Sequence, residues 1–247
     1  VQFIDPKIKE AVLDIIKADN LVDVIIPRGS SGLINFVREN ATVPMIETGA
    51  GVCHTFIDQS AKLIPSAKII FNAKTQRPSV CNSLDTLLVH QKIAGTFLPI
   101  TARLLLPKNV EIFADSVSYR ILKKVYPPSL LRQAKVSDFG REFLSQKMSV
   151  RVVSGVDEAI KHISQYSSKH SEAILSENKQ NCARFLNEID AAVVYVNAST
   201  RFSDGAVFGL GSEIGISTSK IHARGPMGPK EITTYKWIVS GKYSVRE

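Results

Sequence analysis

Short apolar runs alternate with helical periodicity along most of this chain, and that rhythm restricts its fold more than any other feature. Leu21 to Ile26 is a β-rich run stopped by Pro27. Gly29-Ser30-Ser31-Gly32 follows and opens a helix with Leu33, Phe36 and Val37 on its inner face. Downstream, His54 to Asp58, Leu87 to His90, Val150 to Val153, Ala173 to Leu175 and Val193 to Val196 read as strands. Between them, Ile93 to Leu105, Asp157 to Tyr166 and Lys179 to Ile189 read as helices, with Pro99 marking a kink or a fresh start. Asp5-Pro6 is a good start for an earlier helix that lines up Ile8, Val12, Ile15 and Ile16. Pro127 to Glu142 is weakly patterned and reads as loop. Strands alternating with helices predict an α/β fold with a largely parallel sheet.

A length of 247 residues suits one large α/β domain or one and a half ordinary ones. Hydrophobic residues at 44% and charged residues at 22% are a globular balance, with enough apolar material for a sizeable core. No apolar run approaches the roughly 18 residues of a membrane helix. The opening Val1-Gln2-Phe3-Ile4-Asp5 has neither a basic flank nor a signal-peptide core. It also lacks an initiator Met, so a longer parent protein is expected. Three widely spaced cysteines, Cys53, Cys81 and Cys182, suit free thiols in a reducing compartment, and a cytoplasmic location is expected.

The formal charge of +8 admits a nucleic-acid binder or a protein of anionic ligands. The basic residues are scattered, with no run longer than Lys123-Lys124, and aromatics do not interleave with them. That pattern speaks against a base-stacking platform and for anionic small molecules.

Glycine and small polar residues concentrate between Asn197 and Gly228, and a long ordered loop region of this kind is usually functional. Cys81 sits in Asn72-Ala73-Lys74-Thr75-Gln76-Arg77-Pro78-Ser79-Val80-Cys81-Asn82-Ser83-Leu84. Following Pro-Ser, with Arg77 nearby, it fits a helix N-terminus that would depress its pKa; it equally fits an inert thiol in a polar loop. Cys182 shares a helical face with Phe185, Leu186 and Ile189 and reads as core. Cys53 adjoins His54, but neighbours in a strand point to opposite faces and cannot readily pair. No cysteine has metal-ligand spacing, and no metal is expected.

Five strings carry a resemblance: Ile26-Pro27-Arg28-Gly29-Ser30; Asn72 to Asn82; Tyr195 to Asp204; Glu213-Ile214-Gly215-Ile216-Ser217-Thr218; and His222-Ala223-Arg224-Gly225-Pro226. Together they closely resemble the γ-glutamyl phosphate reductase (glutamate-5-semialdehyde dehydrogenase) family of the aldehyde dehydrogenase superfamily, over essentially all of Val1 to Arg246. The resemblance implies an aldehyde-dehydrogenase-like fold, with residues 1–47 the tail of a Rossmann-like cofactor domain. It makes 48–224 the catalytic domain and 225–247 a segment returning toward a dimer interface. A further amino-terminal stretch, holding most of the nucleotide-binding sheet and the oxyanion-hole amide, is implied as well.

The implied activity is NADPH-dependent reduction of L-glutamyl 5-phosphate to L-glutamate 5-semialdehyde in proline biosynthesis, through a Cys81 thioester. Gly29 and Ser30 match the superfamily's cofactor-side helix start, against a plain helix cap, and Glu142 matches the position that holds the nicotinamide ribose, against a solvated surface carboxylate. Arg77 and Arg201 are candidate anion binders, Arg201 for the glutamyl α-carboxylate. Asn82, Asn197, Ser199 and Thr200 complete the expected substrate loops. His170 and His222 are expected to be structural or substrate-loop residues. Glu47 aligns with the water-activating glutamate of hydrolytic relatives and is expected to be structural here. The implied assembly is a homo-oligomer, a dimer or dimer of dimers, with no nucleic-acid or membrane partner. A reading from another class is a folded but inactive module for interaction or oligomerisation.

Overall fold

The computed structural model describes residues 2–5, 8 and 10–246. In chain order its helices are α1 Glu10–Ile16, α2 Ser31–Asn40, α3 Leu63–Thr75, α4 Gln91–Leu105, α5 Ser116–Leu122, α6 Val156–Tyr166 and α7 Lys179–Glu188. Its strands are β1 Cys53–Ile57, β2 Leu84–His90, β3 Glu111–Ala114, β4 Leu131–Gln133, β5 Lys147–Val153, β6 Ser171–Leu175, β7 Val193–Val196, β8 Gly215–Ser217 and β9 Gly225–Met227. Seven of these form one sheet in the order β4-β3-β5-β2-β1-β6-β7, with every neighbouring pair parallel. β8 and β9 form a small antiparallel pair.

Strand alternation builds two cores. Ile57, Leu87, Val89 and Leu175 face one side, where α3, α4 and α5 add Ile70, Phe97, Leu98 and Leu122. Phe56, Leu88 and Ile174 face the other, where α6 and α7 add Ala159, Ile163 and Phe185. A sheet covered on both faces explains why the strands read as continuous apolar runs. Pro99 lies inside α4 without ending it, at the loss of its bond to the Gly95 carbonyl.

Two sequence expectations change. Leu21 to Ile26 forms no strand; only Ile25 makes a bridge, to Met45, and Leu21 is exposed. An apolar run becomes a strand only where a partner edge runs alongside it, and here none does beyond Ile25. The inner face of α2 is Ile34 and Val37, while Leu33 and Phe36 are exposed. Pro6, the expected start of the first helix, lies outside the described residues, and α1 buries Ile16.

Helices on opposite faces follow β1 and β6, so their carboxyl ends mark the reversal point where ligands usually bind in open α/β sheets. Here that point is filled by side chains. Ser60 and Ser176 donate to Asp58 at 2.6 and 2.9 Å, and Asn197 pairs with both backbone groups of Ser176 at 2.9 Å. The open cleft lies at the other edge, ahead of β1, β2 and β5. No described helix is long and apolar enough to cross a membrane.

Candidate active site

A cleft of about 590 Å³ is lined by residues that precede three adjacent strands: Gly49 before β1, Cys81 and Asn82 before β2, and Glu142 before β5. Gly29, Ser30, Arg77 and Arg201 line it too, so seven of the expected site residues come together there. Arg28, Asp204 and Glu213, which sequence reasoning did not single out, complete the charged lining.

Cys81 stands in the turn between the end of α3 and β2, not at a helix N-terminus. Its carbonyl accepts from the Cys53 thiol at 3.2 Å. Buried Asn82 donates to the Ser203 carbonyl at 2.7 Å, and its own carbonyl accepts from the Thr200 hydroxyl at 2.7 Å. Ser199 caps the short turn that carries Thr200 and Arg201. Ser199 and Thr200 therefore brace the Cys81 turn from behind and do not line the cleft. Asn197, with φ 55°, belongs to the filled carboxyl edge of the sheet and does not reach the cleft either.

The thiol is not activated in the way its sequence neighbours suggest. Burial raises the Cys81 pKa, and the carboxylates of Glu142 and Glu213 raise it further, while the Arg201 guanidinium pulls it down. The expected helix dipole is absent, and the acidic neighbours arrive from distant parts of the chain. Glu142 is held in place by the Gly51 amide, which donates to it at 2.8 Å.

Arg201 donates through Nε to the neutral side chain of Gln76 at 3.1 Å, and neither it nor Arg77 enters an ion pair among the described residues. Burial and the like charge of Arg77 both lower the Arg201 pKa, although burial is only partial and the Cys81 thiol acts the other way. Two guanidiniums that disfavour each other beside an acidic-flanked thiol form a place for an anion.

The cofactor side has its own local logic. Gly29 takes φ 152°, a region that favours glycine, and the Ser30 hydroxyl accepts from the Leu33 amide to cap α2. Gly29, Ser30 and Ile34 at the start of α2 thus line the same cleft as Cys81.

The remaining candidates lie elsewhere. Glu47 pairs with Arg38, and its carbonyl accepts from the Thr218 amide at 3.2 Å. His170 is fully buried, held neutral by burial with its pKa near 4, and pairs with the Ser171 hydroxyl at 2.9 Å. His222 Nε2 lies 2.5 Å from the Glu231 carbonyl. Cys53 and His54 do part company: the Cys53 sulfur lies 4.0 Å from His170 Nδ1, while His54 Nδ1 lies 3.1 Å from a Glu172 oxygen. Cys182 is half-buried rather than core and donates to the Ser176 carbonyl at 3.6 Å.

No protein-family model matches the chain. A curated γ-glutamyl phosphate reductase of Pelodictyon phaeoclathratiforme is 55% identical over 241 residues, 98% of this chain and 57% of the relative. The crystal structure of a γ-glutamyl phosphate reductase from Thermotoga maritima superposes with a TM-score of 0.92 at 50% identity, covering 100% of this chain and 58% of that one. An acetylating aldehyde dehydrogenase from Geobacillus thermoglucosidasius shares the fold, with a TM-score of 0.71 at 18% identity over 97% of this chain and 61% of its own. The chain thus spans 57–58% of the length of the curated relatives it matches.

Proposed function

The chain is a homologue of γ-glutamyl phosphate reductases over 98% of its length, and on that premise we propose that it carries the nucleophile of an NADPH-dependent reduction of L-glutamyl 5-phosphate to L-glutamate 5-semialdehyde. The reaction belongs to proline biosynthesis and releases inorganic phosphate. The observation that supports it most directly is one cleft joining Cys81, two arginines without ion pairs and the opening turn of α2.

The Cys81 thiolate attacks the acyl carbon, and the acyl–oxygen bond breaks to expel phosphate. An acyl phosphate is already activated, so no strong general acid is needed at this step. Arg201 binds the α-carboxylate, Arg77 adds positive charge for the anionic substrate, and Asn82 shapes the wall beside the thioester. Gly29 and Ser30 would hold the cofactor pyrophosphate and Glu142 the ribose. Bound nicotinamide cofactor would supply the hydride that reduces the thioester carbon. The resulting thiohemiacetal then collapses, returning the electron pair to the Cys81 sulfur and freeing the aldehyde.

Glu142 takes a double part in this reading. Before ligands bind it raises the Cys81 pKa, which keeps the thiol protonated. Engaging Glu142 with the ribose weakens that repulsion and favours the thiolate when it is required. The domain division at residues 47 and 224, a homo-oligomeric assembly and cytoplasmic residence are parts of the same proposal. The exposed Tyr235, Trp237, Ile238 and Val239 suit a subunit contact of the carboxyl-terminal segment.

The test is phosphate-dependent reduction of NADP by glutamate 5-semialdehyde, the reverse reaction, in the intact native polypeptide. Turnover should require phosphate and vanish in Cys81→Ser with the fold retained. A Cys81→Ser enzyme that still turns over would refute the thioester route.

A further inference from the structure

The chemistry-bearing groups of the cleft come from three segments: the 76–83 turn with Cys81, the 49–52 stretch with Gly51, and the 140–143 stretch with Glu142. One buried carboxylate is hydrogen-bonded to the 140–143 stretch and to the residue that follows the 49–52 stretch, and it lies just after the Cys81 turn. Asp85, the second residue of β2 and 2% exposed, follows the Cys81 turn directly. Its Oδ1 accepts from the Phe143 amide, next to Glu142, at 3.0 Å. Its Oδ2 accepts from the Cys53 amide, two residues past Gly51, at 3.5 Å. Its counter-charge is Lys74, fully buried in the last turn of α3. Lys74 Nζ donates to the Leu84 carbonyl at 2.7 Å and lies 3.8 Å from Asp85 Oδ1, closing the Cys81 turn at its base.

We propose that the buried Lys74–Asp85 pair is the positioning device of this active site, fixing Cys81, Gly51 and Glu142 relative to one another without either residue touching substrate. The inference rests on Cys81 being the nucleophile. An apolar pair of the same volume would fill this space at no loss of packing, and buried ion pairs are seldom a net source of stability. Burial works against both charges: it pulls the Lys74 pKa down to about 8 and pushes that of Asp85 up to about 6. What an apolar pair cannot do is accept backbone hydrogen bonds from two separate segments while a third is tied to its counter-ion. Slack of about 1 Å between a nucleophile and its partners costs on the order of a hundredfold in rate, so the tie has kinetic consequences that packing alone lacks.

The double variant Lys74→Met, Asp85→Asn removes both charges together and leaves no unpaired charge, although the Leu84 carbonyl loses its donor and one of the two backbone amides its acceptor. In the intact polypeptide, assayed well below a somewhat lowered thermal midpoint, we expect KM within about threefold and kcat reduced about tenfold or more. A kcat within about threefold of the parent would overturn the proposal and leave the pair a packing element. Should the double variant not fold, Asp85→Asn alone keeps one acceptor while Lys74, already pulled down, sheds its proton; the same kcat criterion then decides. Alkylation of Cys81 in the parent is run alongside. If it leaves turnover intact, the reading of Cys81 as nucleophile has failed and the positioning claim falls with it, whereas a normal kcat in the double variant with Cys81 alkylation still blocking turnover overturns the positioning claim alone.

Discussion

A Cβ added to Gly51 would stand 1.5 Å from the carbonyl oxygen of Cys81. No side chain can yield there, because the obstacle is backbone, and the Gly51 amide is at the same time the donor that holds Glu142. Gly51 is thus a steric condition for bringing the thiol and its acidic neighbour together.

Gly51→Ala should accordingly push the Cys81 turn away from the 49–52 stretch. The expected cost is about 1–3 kcal/mol of stability from overpacking, and about a hundredfold in kcat from displacement of the nucleophile. Steady-state kinetics with a urea titration checks both; activity within about threefold of the parent would show that the turn relaxes freely.

Glu142 should restrain Cys81 in the ligand-free protein. Its charge raises the thiol's pKa, second only to burial. Glu142→Gln should therefore speed iodoacetamide labelling of Cys81 near neutral pH by about twofold or more, with Cys182 unchanged as internal reference. Labelling that slows or stays level would remove Glu142 as the brake.

Arg201 should be read through KM. Arg201→Met deletes a charged donor toward the proposed α-carboxylate, worth about 1.5–3 kcal/mol, so KM for the semialdehyde should rise about 10- to 150-fold. KM for phosphate should move much less. A rise confined to phosphate would exchange the roles of Arg201 and Arg77.

The contrast between these sites and the sheet shows what local sequence carries. β2, β6, α6 and α7 were readable because a strand covered on both faces is a plain apolar run and the helices have their own period, and half-buried β7 because Val193-Val194-Tyr195-Val196 is β-rich throughout. α3 was not, because Leu63–Thr75 runs into the polar Cys81 stretch and holds the buried Lys74, which reads as a surface residue. Cys81 itself stood out by its neighbours, but its electrostatics did not. Burial, which only the fold imposes, raises the Cys81 pKa against the expected direction, and the carboxylates of Glu142 and Glu213, brought close by the same fold, add to it. Asn197 lies outside the cleft for the opposite reason: it sits close to Arg201 in sequence, but its side chain closes the far edge of the sheet.

Acid should weaken the fold through two buried imidazoles. Burial pulls His162 down to about 3, helped by His54 and Arg151, and His170 down to about 4. Both lie below the ordinary value, so the stability they contribute is complete above about pH 6.5 and is lost as pH falls through the folded values. Asp85, raised to about 6, works in the opposite sense, since its folded form holds a proton that the unfolded chain releases until about pH 4. Two sites against one leave a net loss of about 1.4 kcal/mol per pH unit between roughly pH 6 and 4. Urea midpoints across that window should show it, and His170→Asn should leave the window nearly flat. An unchanged slope in His170→Asn would mean that its proton is not excluded by folding.

On the proposed reading, Glu47 should separate this site from a hydrolytic one. A general base beside Cys81 would be damaging in a phosphate-releasing reductase, because water would consume the thioester before reduction. In this chain the Glu47 side chain is committed to Arg38, and it lines a smaller neighbouring cavity with Asn35, Ser168 and Thr218 rather than the Cys81 cleft. Its backbone carbonyl is tied to Thr218 as well. Glu47→Gln should therefore leave phosphate-dependent semialdehyde oxidation within about tenfold of the parent, a barrier change of about 1.4 kcal/mol or less. Loss of the Arg38 pair, half-exposed as it is, should cost no more than about 1 kcal/mol of stability. A loss of roughly a thousandfold in turnover with Cys81 still open to alkylation, about 4 kcal/mol on the same scale, would place Glu47 in the chemistry after all.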